Sequence, residues 1–164
     1  MKVAIAGGTG TFGRALAARL RDLGHDIAIG SRDESRAQER AAVLGVSGGT
    51  NESVVRDADL VVLAVQSSAA IDSARELADA IGETPVLCVA SDLRFTDAGV
   101  VPARSSGSVA EDVAALVADH LVAGRALDAG PLANARALED MTAVIIHVNR
   151  RYRAVAGLRL TGIG

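Results

Sequence analysis

Aromatic residues are scarce in this chain of 164 residues: Phe12, Phe95 and Tyr152 are the only three, and tryptophan is missing. A flat ligand therefore has few stacking partners and must be held by polar or backbone contacts. The single cysteine, Cys88, excludes an internal disulfide, and three isolated histidines without a second cysteine give no zinc spacing. Long apolar runs are also lacking. Stretches such as Leu60–Val65 and Ala143–Ile146 fall far below the roughly 20 residues of a membrane span. The opening Met1-Lys2-Val3-Ala4-Ile5-Ala6-Gly7 has neither the apolar core nor the cleavage site of a signal peptide, so a cytoplasmic location is expected. Lysine occurs once, at Lys2, the arginines are scattered, and the formal net charge is −3. A basic stripe is missing, so nucleic acid is not an expected partner.

What is present describes a folded domain. Hydrophobic residues make up 49% and charged residues 23%, too apolar for a disordered chain. The length suits one domain on the loose rule of about 150 residues each, so residues 1–164 are expected to form a single unit. Val3–Ala6 is β-prone and runs into a glycine turn. Phe12, Leu16, Leu20 and Leu23 then recur at helical spacing up to Gly24, which sits where helices commonly end. His25–Ile29 reads as a second strand and Ser31–Glu34 as the start of a helix reaching about Leu44. A weak glycine-interrupted piece begins at Val46, and a short helix covers Asn51–Asp57. Asp59–Val65 is a continuous apolar run that suits a strand buried on both faces. A helix over Ala69–Ile81 and a strand over Pro85–Val89 follow. Ala90–Ser108 shows no period and reads as the longest loop. Ser108 with Glu111 forms a capping-box start for a helix to about Leu121. Arg125–Gly130 reads as a last strand, and a final helix covers about 133–150, with a tail beyond. Strands alternating with helices pair in parallel through right-handed crossovers, which gives an α/β fold with a doubly wound sheet.

The opening turn reads Gly8-x-Gly10-x-x-Gly13. It follows a strand, opens a helix and lies in a βαβ unit of suitable length, the setting in which this spacing binds a dinucleotide. On this reading Gly8 permits the tight turn, Gly10 lets backbone approach a pyrophosphate, and Gly13 lets the helix pack closely, while free amides and the helix dipole face the anion. The end of the second strand selects the nucleotide. It carries Gly30-Ser31-Arg32, with Arg36 one helical turn further on, a set that favours a 2′-phosphate and hence NADP. Asp33 lies about 20 residues past Gly13, where an NAD enzyme places its ribose-binding acid. Here it reads as a helix-start residue pointing away.

The blocks Ala6–Gly13, Leu23–Ile27 and Ile29–Arg32, together with Leu127-Asp128-Ala129-Gly130-Pro131-Leu132-Ala133-Asn134-Ala135-Arg136, resemble the coenzyme F420-dependent NADP reductases. The resemblance implies a Rossmann-type NADP-binding fold, shortened in its second half, and hydride transfer between NADP(H) and a deazaflavin, coenzyme F420, or a small substrate. It implies that Thr9, Ser31, Arg32 and Arg36 contact NADP, the last three around its 2′-phosphate. Gly8, Gly10, Thr11, Phe12, Gly13, Val65 and Gln66 complete the expected cofactor-binding set, and Ser67, Asn134 and Arg136 the expected substrate contacts. Three departures from the family pattern stand out. A His-Thr-Ile-Pro-like segment is absent, Gln66-Ser67 replaces a Pro-Trp type of pair, and the chain is internally shorter than full-length members.

Direct hydride exchange with a deazaflavin needs no general acid, which agrees with the lack of a nucleophile or paired-carboxylate motif. Reduction of a small carbonyl or imine by NADPH would need a proton donor. His147, Tyr152 and Asp128 are the candidates. Two of them have a plainer reading: His147 as a helix histidine satisfied at a packing interface, Tyr152 among Arg150, Arg151 and Arg153 as a surface or interface residue. Asn134 and Arg136 either reach a substrate or cap the last helix, and Cys88 reads as a small core residue. A third possibility is a non-redox protein reusing the nucleotide scaffold. Leu138, Met141, Ile145 and Val148 share one helix face, so a homodimer is expected, with the partner completing the cleft.

Overall fold

The computed structural model describes residues 1–97, 99–103, 109, 112, 113, 116, 144 and 146–153. Five parallel strands form the central sheet: β1 (Lys2–Ala6), β2 (Asp26–Ser31), β3 (Ser47–Thr50), β4 (Leu60–Leu63) and β5 (Val86–Cys88). Their order is β3-β2-β1-β4-β5, so the chain winds outward from β1 in one direction and then returns to wind in the other. The register pairs Val3 with Ile27 on one side and with Leu60 on the other.

Helices α1 (Thr11–Asp22) and α2 (Glu34–Leu44) connect the first three strands, whereas α3 (Asn51–Val55) and α4 (Ser67–Ile81) connect the next three. Val3, Ile5, Ile27, Ile29 and Val62 pack with Ala17 of α1 and Ala41 of α2. The alternate residues Ala4, Ala6, Ala28, Val61 and Leu63 pack with Val54, Ala70, Ala74 and Leu77 and with Val109 and Val113 beyond the sheet. Because side chains alternate across a strand, the near-continuous apolar runs of β1 and β4 supply both cores at once. Val109, Val113 and Leu116 join the second core, and all three are helical, inside the helix expected to run to about Leu121.

Gly24 closes α1 as the sequence indicates. Its φ is +84°, its N–H donates to Arg21 O at 2.8 Å, and the His25 N–H reaches Leu20 O at 3.1 Å, a pair of bonds that ends helices. Two expectations need correction. Helix α4 begins at Ser67 rather than Ala69, because Gln66 takes the extended cap conformation. The stretch Ala90–Ser108 is not a plain loop: β6 (Leu93–Thr96) and β7 (Gly99–Pro102) form an antiparallel hairpin within it. The expected strand at Arg125–Gly130, the capping box Ser108 and Glu111, and most of the helix at 133–150 lie outside the described residues. Among the described residues no helix is long and apolar enough to cross a membrane.

Leu63 is fully buried in the α4-side core. Its replacement by alanine is expected to destabilise the domain by about 2–5 kcal/mol, read as a lower urea midpoint with unchanged slope.

Candidate functional site

The turn after β1 is held by backbone contacts too close for any side chain. Gly7, not Gly8, is the residue in the left-handed region, with φ +75°, and a Cβ there would stand 2.6 Å from Ala64 O. This corrects the reading that gave the tight turn to Gly8. At Gly8 the requirement is space: a Cβ would lie 2.7 Å from Ile5 O and 2.8 Å from Ile29 Cβ. A Cβ on Gly13 would lie 2.6 Å from Gly8 Cα, so the first turn of α1 rests directly on the backbone of the turn. Gly10 differs. Its nearest neighbour would be Gly7 O at 3.7 Å, and it is exposed, so one side of the turn stays open to an approaching group.

Gly10 is also the N-cap of α1. It supplies no side-chain cap, and the first turn contains no acidic residue. The amides of Thr11, Phe12 and Gly13 are those that a helix leaves without partners of its own, and the positive end of the helix dipole adds to their pull on an anion. Arg14 lies in the same turn, and its Nε is buried without a hydrogen-bond partner. Thr9 is nearly buried, whereas Thr11 and Phe12 are exposed.

The second locus lies at the end of β2. Ser31 is nearly buried, and its Oγ accepts from Asp33 N at 3.2 Å. The Asp33 carboxylate accepts from Arg36 N at 3.1 Å as the N-cap of α2, so it is turned to the helix as the sequence indicates. Arg32 and Arg36 are exposed, and neither forms an ion pair among the described residues. A cavity of about 150 Å³ opens between Ser31, Arg32, Thr50, Asn51 and Glu52 on one side and Ser73, Glu76 and Leu77 of α4 on the other.

Asn51 joins the two loci, and sequence reasoning missed it. Its Oδ1 accepts from Gly7 N at 3.0 Å and sits 2.6 Å from where a Cβ on Gly30 would be. The available signal was local: Thr50 caps α3 by accepting from Ser53 N at 3.0 Å, which fixes Asn51 at the first helical position.

The third locus follows β4. The Val65 side chain packs against Gly7, 2.7 Å from where a Cβ would stand, and Gln66 is exposed at the α4 cap. Ser67 Oγ donates to Asp92 Oδ1 at 3.2 Å, a second residue that the sequence reading did not single out. All three loci thus gather at the carboxyl ends of β1, β2 and β4, where the winding direction reverses and doubly wound sheets bind ligands.

Other candidates fall elsewhere. His147 lies over the hairpin, its Nδ1 3.0 Å from where a Cβ on Gly99 would stand. Tyr152 is 69% exposed with the Arg151 guanidinium 6.0 Å above its ring. Cys88 is half-buried against the α4-side core. Asp128, Asn134 and Arg136 lie outside the described residues, as do Leu138, Met141 and Ile145.

A family described as NADP oxidoreductase, coenzyme F420-dependent, matches residues 2–91. An F420-dependent NADP reductase from Methanothermobacter thermautotrophicus is 27% identical over 222 residues, covering 99% of this chain and 96% of the relative. One from Methanocaldococcus jannaschii is 26% identical over 223 residues, covering 99% of each. Both alignments run longer than the 164 residues of this chain, so the relatives contain internal sequence that it lacks. Among solved structures, a candidate F420-dependent NADP reductase from Arthrobacter sp. FB24 superposes with a TM-score of 0.68 at 19% identity, covering 94% of this chain and 96% of that one.

Two glycine substitutions separate packing from access. Gly13→Ala is expected to lower stability by about 1–3 kcal/mol through overpacking, whereas Gly10→Ala should stay within about 0.5 kcal/mol of the parent in the same urea titration. Asn51→Ala, which leaves the Gly7 N–H without its partner, is expected to cost about 1–3 kcal/mol.

Proposed function

This chain belongs to the family of coenzyme F420-dependent NADP oxidoreductases, and from that premise we propose that it is an NADP(H)-dependent oxidoreductase moving a hydride between nicotinamide and a deazaflavin or another small substrate. The observation that carries the reading is the uncapped start of α1 at Gly10, set beside a β2 end whose acid is committed to a helix cap and whose arginines form no ion pair among the described residues. The residues fit the dinucleotide. Gly10 leaves room for a diphosphate against the α1 amides, and Ser31, Arg32 and Arg36 offer a hydroxyl and two guanidinium forks to a 2′-phosphate. When bound, NADP(H) supplies or accepts the hydride. The chain's own part is to hold the diphosphate, to select the phosphorylated ribose, and to line the nicotinamide end with Val65 and Gln66.

A second reading, reduction of a small carbonyl or imine, is favoured by the Ser67–Asp92 pair. That reaction needs a proton, and Ser67 Oγ, hydrogen-bonded to Asp92 Oδ1 at 3.2 Å, would relay one to the substrate from the protonated Asp92 carboxyl, which solvent then reprotonates. In the same proposal Asn134 and Arg136 contact the substrate, residues 1–164 act as one NADP-binding unit, the location is cytoplasmic, and the helix at about 133–150 pairs two copies into a homodimer.

Arg32→Ala and Arg36→Ala are each expected to weaken NADP⁺ binding about tenfold or more, the equivalent of one charge-assisted bond, with NAD⁺ binding unchanged. Calorimetry on both nucleotides checks this, and equal affinities in the parent protein would overturn the 2′-phosphate site. Nicotinamide absorbance followed with coenzyme F420 and with a carbonyl and imine panel assigns the acceptor, and Ser67→Ala should slow only the second class. Sedimentation at micromolar concentration should give a dimer. A monomer there refutes the pairing.

A further inference from the structure

The β6–β7 hairpin leaves the carboxyl edge of the sheet just after β5. Its base is closed by Ala103 N donating to Asp92 O at 2.9 Å, and its tip by Thr96 Oγ1 donating to Gly99 O at 2.8 Å. The helical residues 146–152 lie across that tip. Between them is a cavity of about 240 Å³ lined by Thr96, Asp97, Val100, His147, Arg150 and Arg151, with Gly99 in its floor. A Cβ on Gly99 would come within 3.0 Å of His147 Nδ1, so the small residue is what lets the imidazole sit against the strand.

Among the described residues the charges lining this cavity do not balance. Two guanidiniums and an imidazole face one carboxylate, that of Asp97, and neither guanidinium has an acid within ion-pair distance among the described residues. Arg150 is instead stacked over the Phe95 ring at 5.6 Å. Stacking restrains the guanidinium plane while its N–H rim remains available for hydrogen bonding. The Arg151 guanidinium lies 6.0 Å from the centroid of the exposed Tyr152 ring. Unpaired like charges repel unless an anion lies among them.

We propose that this cavity is a binding site, separate from the dinucleotide turn, for the phosphate group of a small phosphomonoester. Two guanidiniums and one imidazole match the three terminal oxygens of such a group. The space exceeds what one phosphate fills, which leaves room for an organic body. The proposal stands on the hairpin and its covering helix alone and does not depend on which reaction the protein performs.

The test uses the full chain with Arg32→Ala and Arg36→Ala, so that the other exposed arginine pair cannot answer. Glycerol phosphate, inorganic phosphate and citrate are titrated while the imidazole resonances are followed by NMR. Glycerol phosphate should saturate and shift the His147 signal, inorganic phosphate should bind more weakly, and citrate should not compete. Adding Arg150→Gln with Arg151→Gln should weaken glycerol phosphate at least tenfold, and both side chains are exposed, so the fold should survive, as circular dichroism will report. Lack of saturation, undiminished binding by the Gln variant, or citrate binding as tightly as the phosphomonoester would overturn the proposal. If the double Gln variant misfolds, the single variants Arg150→Gln and Arg151→Gln serve instead, each with a severalfold loss expected and undiminished binding in both equally fatal.

Discussion

The close approach of two stretches of backbone governs the rest of this molecule. The start of α1 lies on the turn after β1 with so little clearance that a methyl group on Gly13 would enter the van der Waals shell of Gly8 Cα. That contact sets where the helix begins and therefore where its unpartnered amides point. Gly7 in turn fits beneath Ala64 and Val65, so the same turn fixes the crossing from β4 into α4. A larger residue at any of these points would push the helix off the sheet and redirect the electrostatic field that makes this end of the domain attractive to an anion.

Much of this was legible in the residues, and the reasons are physical. Strands β1 and β4 are apolar on both faces because both faces are covered, and that pattern marks a parallel sheet without further information. The turn after β1 was readable because glycine spacing reports backbone clearance directly. Its internal division of labour was not, since which of two adjacent glycines takes the left-handed conformation depends on what lies above them. Here that is the Ala64–Val65 segment, more than fifty positions away in the chain.

The missed site residues rest on contacts between distant positions. Asn51 matters because its amide oxygen reaches Gly7, 44 positions earlier, and a short polar helix start gives little hint of such a reach. Asp92 matters through Ser67, 25 positions away. The hairpin at Leu93–Pro102 was hidden because its strands are four residues each, the first carries a charged Arg94, the second opens on glycine and ends on proline, and both rest against a helix encoded some fifty residues later. Asp33 shows the opposite case. Its capping bond spans three positions, and so its direction could be read locally.

The Asn51 amide has a consequence for how such a sequence can drift over generations. Gly7, Gly30 and Asn51 meet at one point, with Oδ1 taking the Gly7 proton and filling the space that a side chain on Gly30 would need. Exchanging any one member disturbs the contacts of the other two. In descendants of this chain the three should therefore be retained as a set, tying the turn after β1 to β2 and α3.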